Sequence, residues 1–287
     1  MEPWVRIVVP VDFSERSAGA VRYAKLLAHQ FHSEVDLLHV FRPPELEFGG
    51  SAGRDSVLSE LYRNRAAEVE RDLQDFLADE LDGLTVRRVV SEGDTAHRIV
   101  EWAHQQQASL IVMATHGYGP FRRFILGSNT AKVLHDADCP VWTGAHLEEQ
   151  PRPAPLRTVL VAVDLGPHSV KTIEWAGRLQ KQFGARLVIA HAVMAVSDEA
   201  EALAAHWFVS ARQAAQEELL RLQQQTGVDA TLRVESGEPA RAVCALAQKL
   251  QAGVLVIGRG SAAGSFGRLR TNAYSMIRQS PCPVVSV

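Results

Sequence analysis

Cysteine is scarce in this chain, which has only Cys139, Cys244 and Cys282 among its 287 residues. They are widely separated, they lack the spacing of a metal site, and their odd number argues against a disulfide framework. Such cysteine usage is typical of a reducing compartment. The chain also has no large excess of acidic or basic residues, and its formal net charge is −3. This balance gives no reason to expect nucleic acid or a membrane surface as a partner.

Long apolar runs are missing as well, and no stretch approaches the roughly 20 residues that a membrane-spanning helix needs. The N-terminal sequence MEPWVRIVVPVDF has an early acidic residue and no small-residue cleavage site after an apolar core, so we expect no secretory signal. The composition, 46% hydrophobic and 22% charged, is typical of a globular protein in water. Together these features predict a cytoplasmic location.

The two halves of the chain repeat each other. The segment from Arg6, RIVVPVDFSERSAGAVRYAKLLAHQF, aligns with the segment from Thr158, TVLVAVDLGPHSVKTIEWAGRLQKQF. The alignment continues in order towards the end of each half, which indicates two copies of one domain. Equivalent residues differ by 152 at Asp12 and Asp164, by 144 at Gly93 and Gly237, and by 143 at Cys139 and Cys282.

A proline-rich segment separates the copies. It runs from Gly144 to Arg157, GAHLEEQPRPAPLR, and its prolines and charges are typical of an exposed linker. We predict an N-terminal domain at 1–145, a linker at 146–156 and a C-terminal domain at 157–287.

Strand and helix patterns alternate within each copy, which predicts a doubly wound α/β fold. Uninterrupted apolar runs such as Ile7-Val8-Val9 indicate strands covered on both faces, hence a parallel sheet. The predicted strands of the first copy are Arg6–Val11, Glu34–Phe41, Thr85–Val90, Ser109–Met113 and Val141–Thr143. Its predicted helices are Glu15–Phe31, Val57–Leu81, Ala96–Gln106 and Thr130–Asp136.

The clearest functional signal is the stretch from Met113 to Thr130, MATHGYGPFRRFILGSNT. It follows a buried strand, contains several glycines and leads into a helix. Glycine lets a backbone approach a phosphate closely, and a helix N-terminus offers unpaired N–H groups and partial positive charge. Ser128, Asn129 and Thr130 can cap that helix or donate hydroxyl and amide hydrogen bonds to an anion. From chemistry alone the stretch is either a phosphate cradle or a strand-to-helix loop with an ordinary helix cap. It contains neither a P-loop nor a Gly-x-Gly-x-x-Gly fingerprint.

The same stretch resembles the ATP-binding signature of the universal stress proteins, Gly-x-x-Gly, nine residues, then Gly-Ser or Gly-Thr. Here the pattern falls on Ala114 to Gly117, then 118–126, then Gly127-Ser128. Ala114 departs from the family, which has glycine there, and its extra methyl group strains the contact.

The resemblance implies, for each domain, a five-stranded, mainly parallel sheet of order 3-2-1-4-5 with helices on both faces. That order reverses between strands one and four, and ligands of such sheets bind beyond the carboxyl ends of the strands at the reversal. Asp12 ends strand one and the glycine loop follows strand four. We therefore expect both features at one crevice.

Asp12 matches the nucleotide-contacting aspartate of the family. Its carboxylate can accept hydrogen bonds from ribose hydroxyls or lie near a metal bound to phosphates. The alternative is an N-terminal cap, or a close neighbour, of the helix that begins near Glu15, and this role can coexist with ligand contact. Val40 would offer its main chain to adenine, or is plain core. The full predicted nucleotide site, with no catalytic residue and no metal ligand, is Pro10, Val11, Asp12, Val40, Ala114, His116, Gly117, Gly127, Ser128, Asn129 and Thr130.

Other candidate side chains have simpler interpretations. His39 and His191 repeat at one register, which is typical of packed, hydrogen-bonded strand residues. His116 would either line the phosphate site or orient the loop. Arg122 and Arg123 are interpreted as solvated loop charges rather than phosphate ligands.

The second copy departs further from the signature. Gly258-Arg259-Gly260 is one residue shorter than its counterpart, and Arg270-Thr271 stands where the first copy has Gly127-Ser128. A long cationic side chain replaces bare backbone there, although Asp164 keeps the carboxylate after strand one. We therefore expect ATP chiefly in the N-terminal domain.

From these residues and the resemblance we predict an ATP-binding stress-response regulator, with or without Mg²⁺, rather than an enzyme. Hydrolysis of the bound ATP stays open. The alternative is a scaffold of the same fold that binds no nucleotide. An ATP-pyrophosphatase would need Ser-Gly-Gly-x-Asp-Ser after strand one, which Val9 to Ser14 lacks.

Family dimers pair through their last strands, and both copies end in short apolar strands, Val141–Thr143 and Val284–Val287. Pairing would remove two exposed strand edges. We expect the copies to form an intramolecular pseudo-dimer, with a homodimer of whole chains left open.

Overall fold

The structure of the chain is a computed structural model, and it describes residues 4–41, 56–115, 126–144, 156–194, 201–259 and 271–287. The chain divides into two compact units, the first reaching Val141 and the second running from Ala154 to the C-terminus. The predicted linker, 146–156, lies outside the described residues except for Leu156. That residue is buried, so an exposed linker ends before it.

The N-terminal copy alternates strands and helices. Its strands are β1 (Arg6–Pro10), β2 (Glu34–Phe41), β3 (Val86–Glu92), β4 (Leu110–Ala114) and β5 (Val141–Gly144). Its helices are α1 (Glu15–Phe31), α2 (Ser56–Asp75), α3 (Thr95–Gln105) and α4 (Ser128–Asp136), with a 3₁₀ turn at Asp79–Leu81.

The strands of this copy lie in the order β3-β2-β1-β4-β5. β1 pairs in parallel with β2 and β4, and β2 pairs in parallel with β3. Ile7, Val8 and Val9 of β1 are fully buried, as are Leu110, Ile111 and Val112 of β4. The unbroken apolar runs therefore form the centre of a sheet that is covered on both faces.

The C-terminal copy repeats this arrangement, with the order β8-β7-β6-β9-β10. Its strands are β6 (Thr158–Ala162), β7 (Arg186–Val193), β8 (Thr231–Ser236), β9 (Val254–Ile257) and β10 (Val284–Ser286). Its helices are α5 (Ser169–Phe183), α6 (Glu201–Thr226), α7 (Pro239–Lys249) and α8 (Thr271–Gln279). The predicted fold class, two repeated doubly wound α/β domains, is confirmed.

Two predicted helices have different bounds in the structure. The single helix predicted at Val57–Leu81 ends at Asp75, because Leu77 adopts a left-handed backbone with φ 51° that an α-helix cannot continue through. The helix predicted at Thr130–Asp136 begins two residues earlier, at Ser128. The third strand, predicted at Thr85–Val90, extends to Glu92. The remaining elements of the first copy agree within about one residue, the usual ambiguity of element ends.

An ion pair between a buried aspartate and a partly exposed arginine distinguishes the first copy from the second. Asp36 of β2 is 1% exposed and faces Arg87 across the β2–β3 ladder. Arg87 Nε donates to Asp36 Oδ1 at 3.0 Å, and Trp102 Nε1 of α3 donates to Oδ2 at 3.0 Å. At the equivalent cross-strand pair the second copy has Val188 and Thr231. The cluster of Asp36, Arg87 and Trp102 therefore joins β2, β3 and α3 in the first copy alone.

We predict that Asp36→Ala lowers the free energy of unfolding of the N-terminal copy by about 2 kcal/mol, because the Trp102 N–H and the partly exposed Arg87 guanidinium lose a shared, buried acceptor. Glu34→Ala, on the same strand, removes the more exposed Arg6–Glu34 pair and should cost at most about 1 kcal/mol. Urea unfolding of both variants measures the difference. Equal losses would show that the buried cluster does not stabilise the domain.

Candidate functional site

A cleft of about 200 Å³ opens in the N-terminal copy at the carboxyl ends of β1 and β4, where the strand order reverses. It is the place where ligands of doubly wound sheets bind. The lining comes from the ends of three strands and the starts of three helices. The lining residues are Pro10, Val11, Asp12, Ser17, Leu38, His39, Val40, Thr95, Ile99, Met113, Ala114, Asn129 and Thr130.

The Asp12 carboxylate is held by the turn that follows it. Its Oδ1 accepts hydrogen bonds from the backbone N–H of Ser14, at 3.1 Å, and from the Ser14 hydroxyl. Ser14 caps α1 with its own side chain, which accepts from Ser17 N at 3.2 Å. Asp12 is therefore a neighbour of the cap rather than the cap itself, and its exposed carboxylate lines the cleft.

Phe13 makes this turn possible at some conformational cost. Its φ of 62° is left-handed, a region that non-glycine residues seldom occupy. The ring stacks on His39 with centroids 4.5 Å apart and meets Phe76 edge-on at 5.5 Å. Aromatic packing of this kind offsets backbone strain. Leu165 repeats the conformation in the second copy, with φ 60°.

His39 lies beneath the same turn. Its Nδ1 is 2.8 Å from the carbonyl oxygen of Val11, and because a carbonyl can only accept, Nδ1 carries the proton. His191 makes the equivalent contact with Val163 at 2.8 Å. Both histidines are therefore packed, hydrogen-bonded strand residues, as predicted, although both also line a cleft.

The start of α4 presents backbone N–H groups beside the cleft. Gly127 is the N-cap and contributes no side-chain hydrogen bond, and its N–H donates to Thr115 O at 2.9 Å. The first amide bond within the helix runs from Ala131 N to Gly127 O. The N–H groups of Ser128, Asn129 and Thr130 precede it and form the positive end of the helix.

The Thr130 hydroxyl has a different role from the one predicted. We expected it to cap the helix or to donate to an anion. Instead Oγ1 donates to Ala114 O at 3.1 Å, which ties the first turn of α4 to the end of β4. The cap is Gly127, so none of the side chains of Ser128, Asn129 and Thr130 serves that purpose.

The structure brings most of the predicted site together. Pro10, Val11, Asp12, Val40, Ala114, Asn129 and Thr130 line one cleft. Gly127 and Ser128 directly precede its lining residues, and His116 and Gly117 lie outside the described residues. Sequence reasoning missed Ser17, Leu38, His39, Thr95, Ile99 and Met113 as lining residues. Glycine recurs at the equivalent positions 93 and 237, in each copy two residues before a helix begins. This repeat was the signal that could have indicated Thr95, the first residue of α3.

The C-terminal copy has a matching cleft of about 240 Å³. Asp164 lines it, and its Oδ1 accepts from Gly166 N at 2.9 Å and from Ser169 Oγ at 3.4 Å. A Cβ at Gly166 would lie 3.0 Å from this Oδ1, so glycine allows the close approach. The other lining residues include His168, Thr172, His191, Arg259, Asn272 and Met276; Gly260 and Arg270 lie outside the described residues.

A buried thiol, Cys244, lies behind that cleft. Cys244 and Cys282 are both free and buried. The Cys244 thiol is 4.0 Å from the carbonyl oxygen of Met276, which lines the cleft. Burial raises the pKa of each thiol to about 11.

The described parts of the chain contain no group of three His, Cys, Asp or Glu side chains placed to hold a metal ion. Nor does any helix of those parts have both the length and the apolar character that crossing a membrane requires.

Burial lowers the pKa of His39 below its usual value, against smaller upward effects of the Val11 carbonyl and the Asp12 carboxylate. In the unfolded chain the pKa is about 6.5. The stability that neutral His39 contributes is therefore complete above about pH 6.5 and is lost as the pH falls through the lower folded-state pKa. We predict that an NMR titration of His39 gives a midpoint below 6.5, and that His39→Gln flattens the pH dependence of unfolding there. A midpoint at or above 6.5 would contradict this.

The sequence model of the universal stress protein family matches this chain twice, at residues 4–143 and 155–287. A universal stress protein of Mycolicibacterium smegmatis is 27% identical over 288 residues, covering 98% of this chain and 96% of the relative. One from Methanocaldococcus jannaschii is 32% identical over 136 residues, covering 47% of this chain and 79% of the relative.

Solved structures agree on the fold. The crystal structure of a universal stress protein from Archaeoglobus fulgidus covers 98% of this chain and 95% of its own, with a TM-score of 0.68 and 24% sequence identity. With the family model matching both halves, the chain belongs to the universal stress protein family and carries two copies of its domain.

Proposed function

We propose that the N-terminal copy binds ATP and that the chain acts as a nucleotide-dependent regulator in a stress response. The observation that carries this proposal is the cleft at the sheet reversal, where the Asp12 carboxylate and the start of α4 meet. A hydrogen-bond acceptor for a sugar and a donor array for a phosphate then lie at one site.

Asp12 is suited to hold the ribose. The Ser14 N–H and hydroxyl both bond to Oδ1, so the carboxylate is oriented before a ligand arrives. An ionised carboxylate has about four lone-pair sites, which leaves capacity for two ribose hydroxyls. A pre-oriented acceptor binds a diol with less loss of entropy than a freely rotating one.

The adenine is expected at the β2 side of the cleft. Leu38, His39 and Val40 line that side, and Val40 would offer main-chain groups to the edge of the base. Ile99 and Met113 add apolar surface, and an apolar lining with a few polar groups is the usual make-up of small-molecule sites.

The phosphates would lie at the start of α4. The amides of Ser128, Asn129 and Thr130 form the positive end of this helix, where anions bind favourably. Gly127 has no side chain, so a phosphate can approach the N-cap backbone directly. Mg²⁺, where it accompanies ATP, would be coordinated mainly by phosphate oxygens and water.

We propose regulation rather than catalysis, in a cytoplasmic protein. The competing hypothesis is a scaffold of the same fold without nucleotide, motivated by Ala114 at a glycine position of the signature. Native mass spectrometry after gentle purification separates the two, because only the first retains nucleotide mass. The pairing of the two copies through their last strands stays a prediction.

We predict that Gly127→Arg weakens ATP binding at least tenfold, or by about 1.4 kcal/mol, because the side chain would occupy the phosphate position. Gln74→Arg adds the same charge at an exposed position of α2 and should leave the affinity unchanged. Isothermal titration calorimetry measures both. A wild-type protein that neither releases heat with ATP nor binds any adenine nucleotide in competition would refute the proposal.

We also predict about one ATP per chain. Asp12→Ala should abolish most binding, because the ribose loses its acceptor, whereas Asp164→Ala should leave it nearly intact. Titration stoichiometry of the wild type and both variants checks this. Two equivalent sites, or loss of ATP binding with Asp164→Ala alone, would show that the wrong copy has been assigned.

A further inference from the structure

The cleft of the C-terminal copy keeps the carboxylate of the first but changes its surroundings. Asp164, Ser169, His191 and Asn272 line it at the positions equivalent to Asp12, Ser17, His39 and Asn129. Two hydroxyls of the first cleft are absent, because Pro239 stands for Thr95 and Ala273 for Thr130. The starts of α7 and α8 have therefore each lost a hydroxyl from the lining.

A buried arginine appears on the strand side instead. Arg259 follows β9 where Thr115 follows β4, it lines the cleft, and it is 8% exposed. A guanidinium stays protonated even when buried. Its planar set of donors matches the two oxygens of a carboxylate or phosphate. This position supplies a fixed positive charge where the first copy has a neutral hydroxyl.

Two contacting positions of the cleft, Thr172 and Gly258, have changed together relative to the first copy. Thr172 stands where the first copy has Ala20, lines the cleft and is 2% exposed. Its Oγ1 lies 3.1 Å from the Cβ position of Gly258, where the first copy has Ala114. An alanine at 258 would crowd this hydroxyl, so the glycine and the threonine fit each other. Because Oγ1 donates to His168 O at 3.0 Å, it can still accept a hydrogen bond.

We propose that this second cleft binds a small hydroxylated anion, a sugar phosphate or a hydroxy acid, and not ATP. The anionic group would lie against Arg259. Hydroxyls would donate to Asp164 and to the Thr172 oxygen. The proposal stands on the C-terminal residues alone, so it is independent of ATP binding by the first copy.

The test titrates the full chain with ribose 5-phosphate and, separately, with gluconate, by isothermal calorimetry in the presence of saturating ATP. We expect at least one probe to bind at about one per chain. Arg259→Gln and Asp164→Asn should each weaken that binding at least tenfold. Arg259→Lys, which keeps the charge but loses the planar donors, should retain part of it. Asp12→Asn, the matched change in the first cleft, should leave it unaltered.

The Asp164→Asn arm keeps the test decisive if Arg259→Gln fails to fold, because the Asp164 side chain is exposed. Several outcomes would overturn the proposal: neither probe binds, neutral ribose binds as tightly as the anions, ATP competes with the probe, or Asp12→Asn abolishes probe binding. Failure of ATP to bind in the earlier titrations would leave these measurements unaffected, so the two proposals can fail separately.

Discussion

In each copy, a histidine on the second strand forms a hydrogen bond to the end of the first strand, and this bond supports both clefts. In each copy a histidine Nδ1 lies 2.8 Å from the carbonyl oxygen of the residue before the aspartate, Val11 or Val163. The next residue but one, Phe13 or Leu165, is left-handed, at a cost of order 1 kcal/mol. The histidine holds the carbonyl of Val11 or Val163 in place, and the left-handed residue then turns the chain. The aspartate between these two residues therefore lines the cleft. The Nδ1–H can donate to this carbonyl in either protonation state, and burial lowers the pKa of His39, which favours the neutral ring.

Much of this arrangement could be predicted from the sequence. The repeat, the buried strands and the turn residues specify the α/β class, and the position of Asp12 after β1 brings it to the cleft whatever the details of the turn. The left-handed Phe13 could not be predicted, because nothing local favours that conformation and tertiary packing stabilises it. The Thr130 hydroxyl was misassigned for a similar reason, since its acceptor, Ala114 O, is distant in sequence.

The two copies show how one framework carries different chemistry. Both keep the carboxylate, the histidine bond and the asparagine at the helix start, which belong to the framework of the cleft. They differ at lining positions such as Thr95 of the first cleft and Pro239 of the second. The Asp36 cluster is another difference between the copies. It bonds α3 to the sheet in the first copy, whereas Val188 and Thr231 replace Asp36 and Arg87 in the second.

The buried thiols have a consequence for how the chain can respond to oxidants. A thiol with a pKa of about 11 is ionised in roughly one molecule in ten thousand at pH 7, and the thiolate is the form that peroxides attack. Both thiols are therefore expected to react slowly with peroxides, although Cys244 lies close behind the C-terminal cleft. The ligand proposed for this cleft would therefore act by reversible binding, since covalent modification of these two sulfurs is disfavoured at neutral pH.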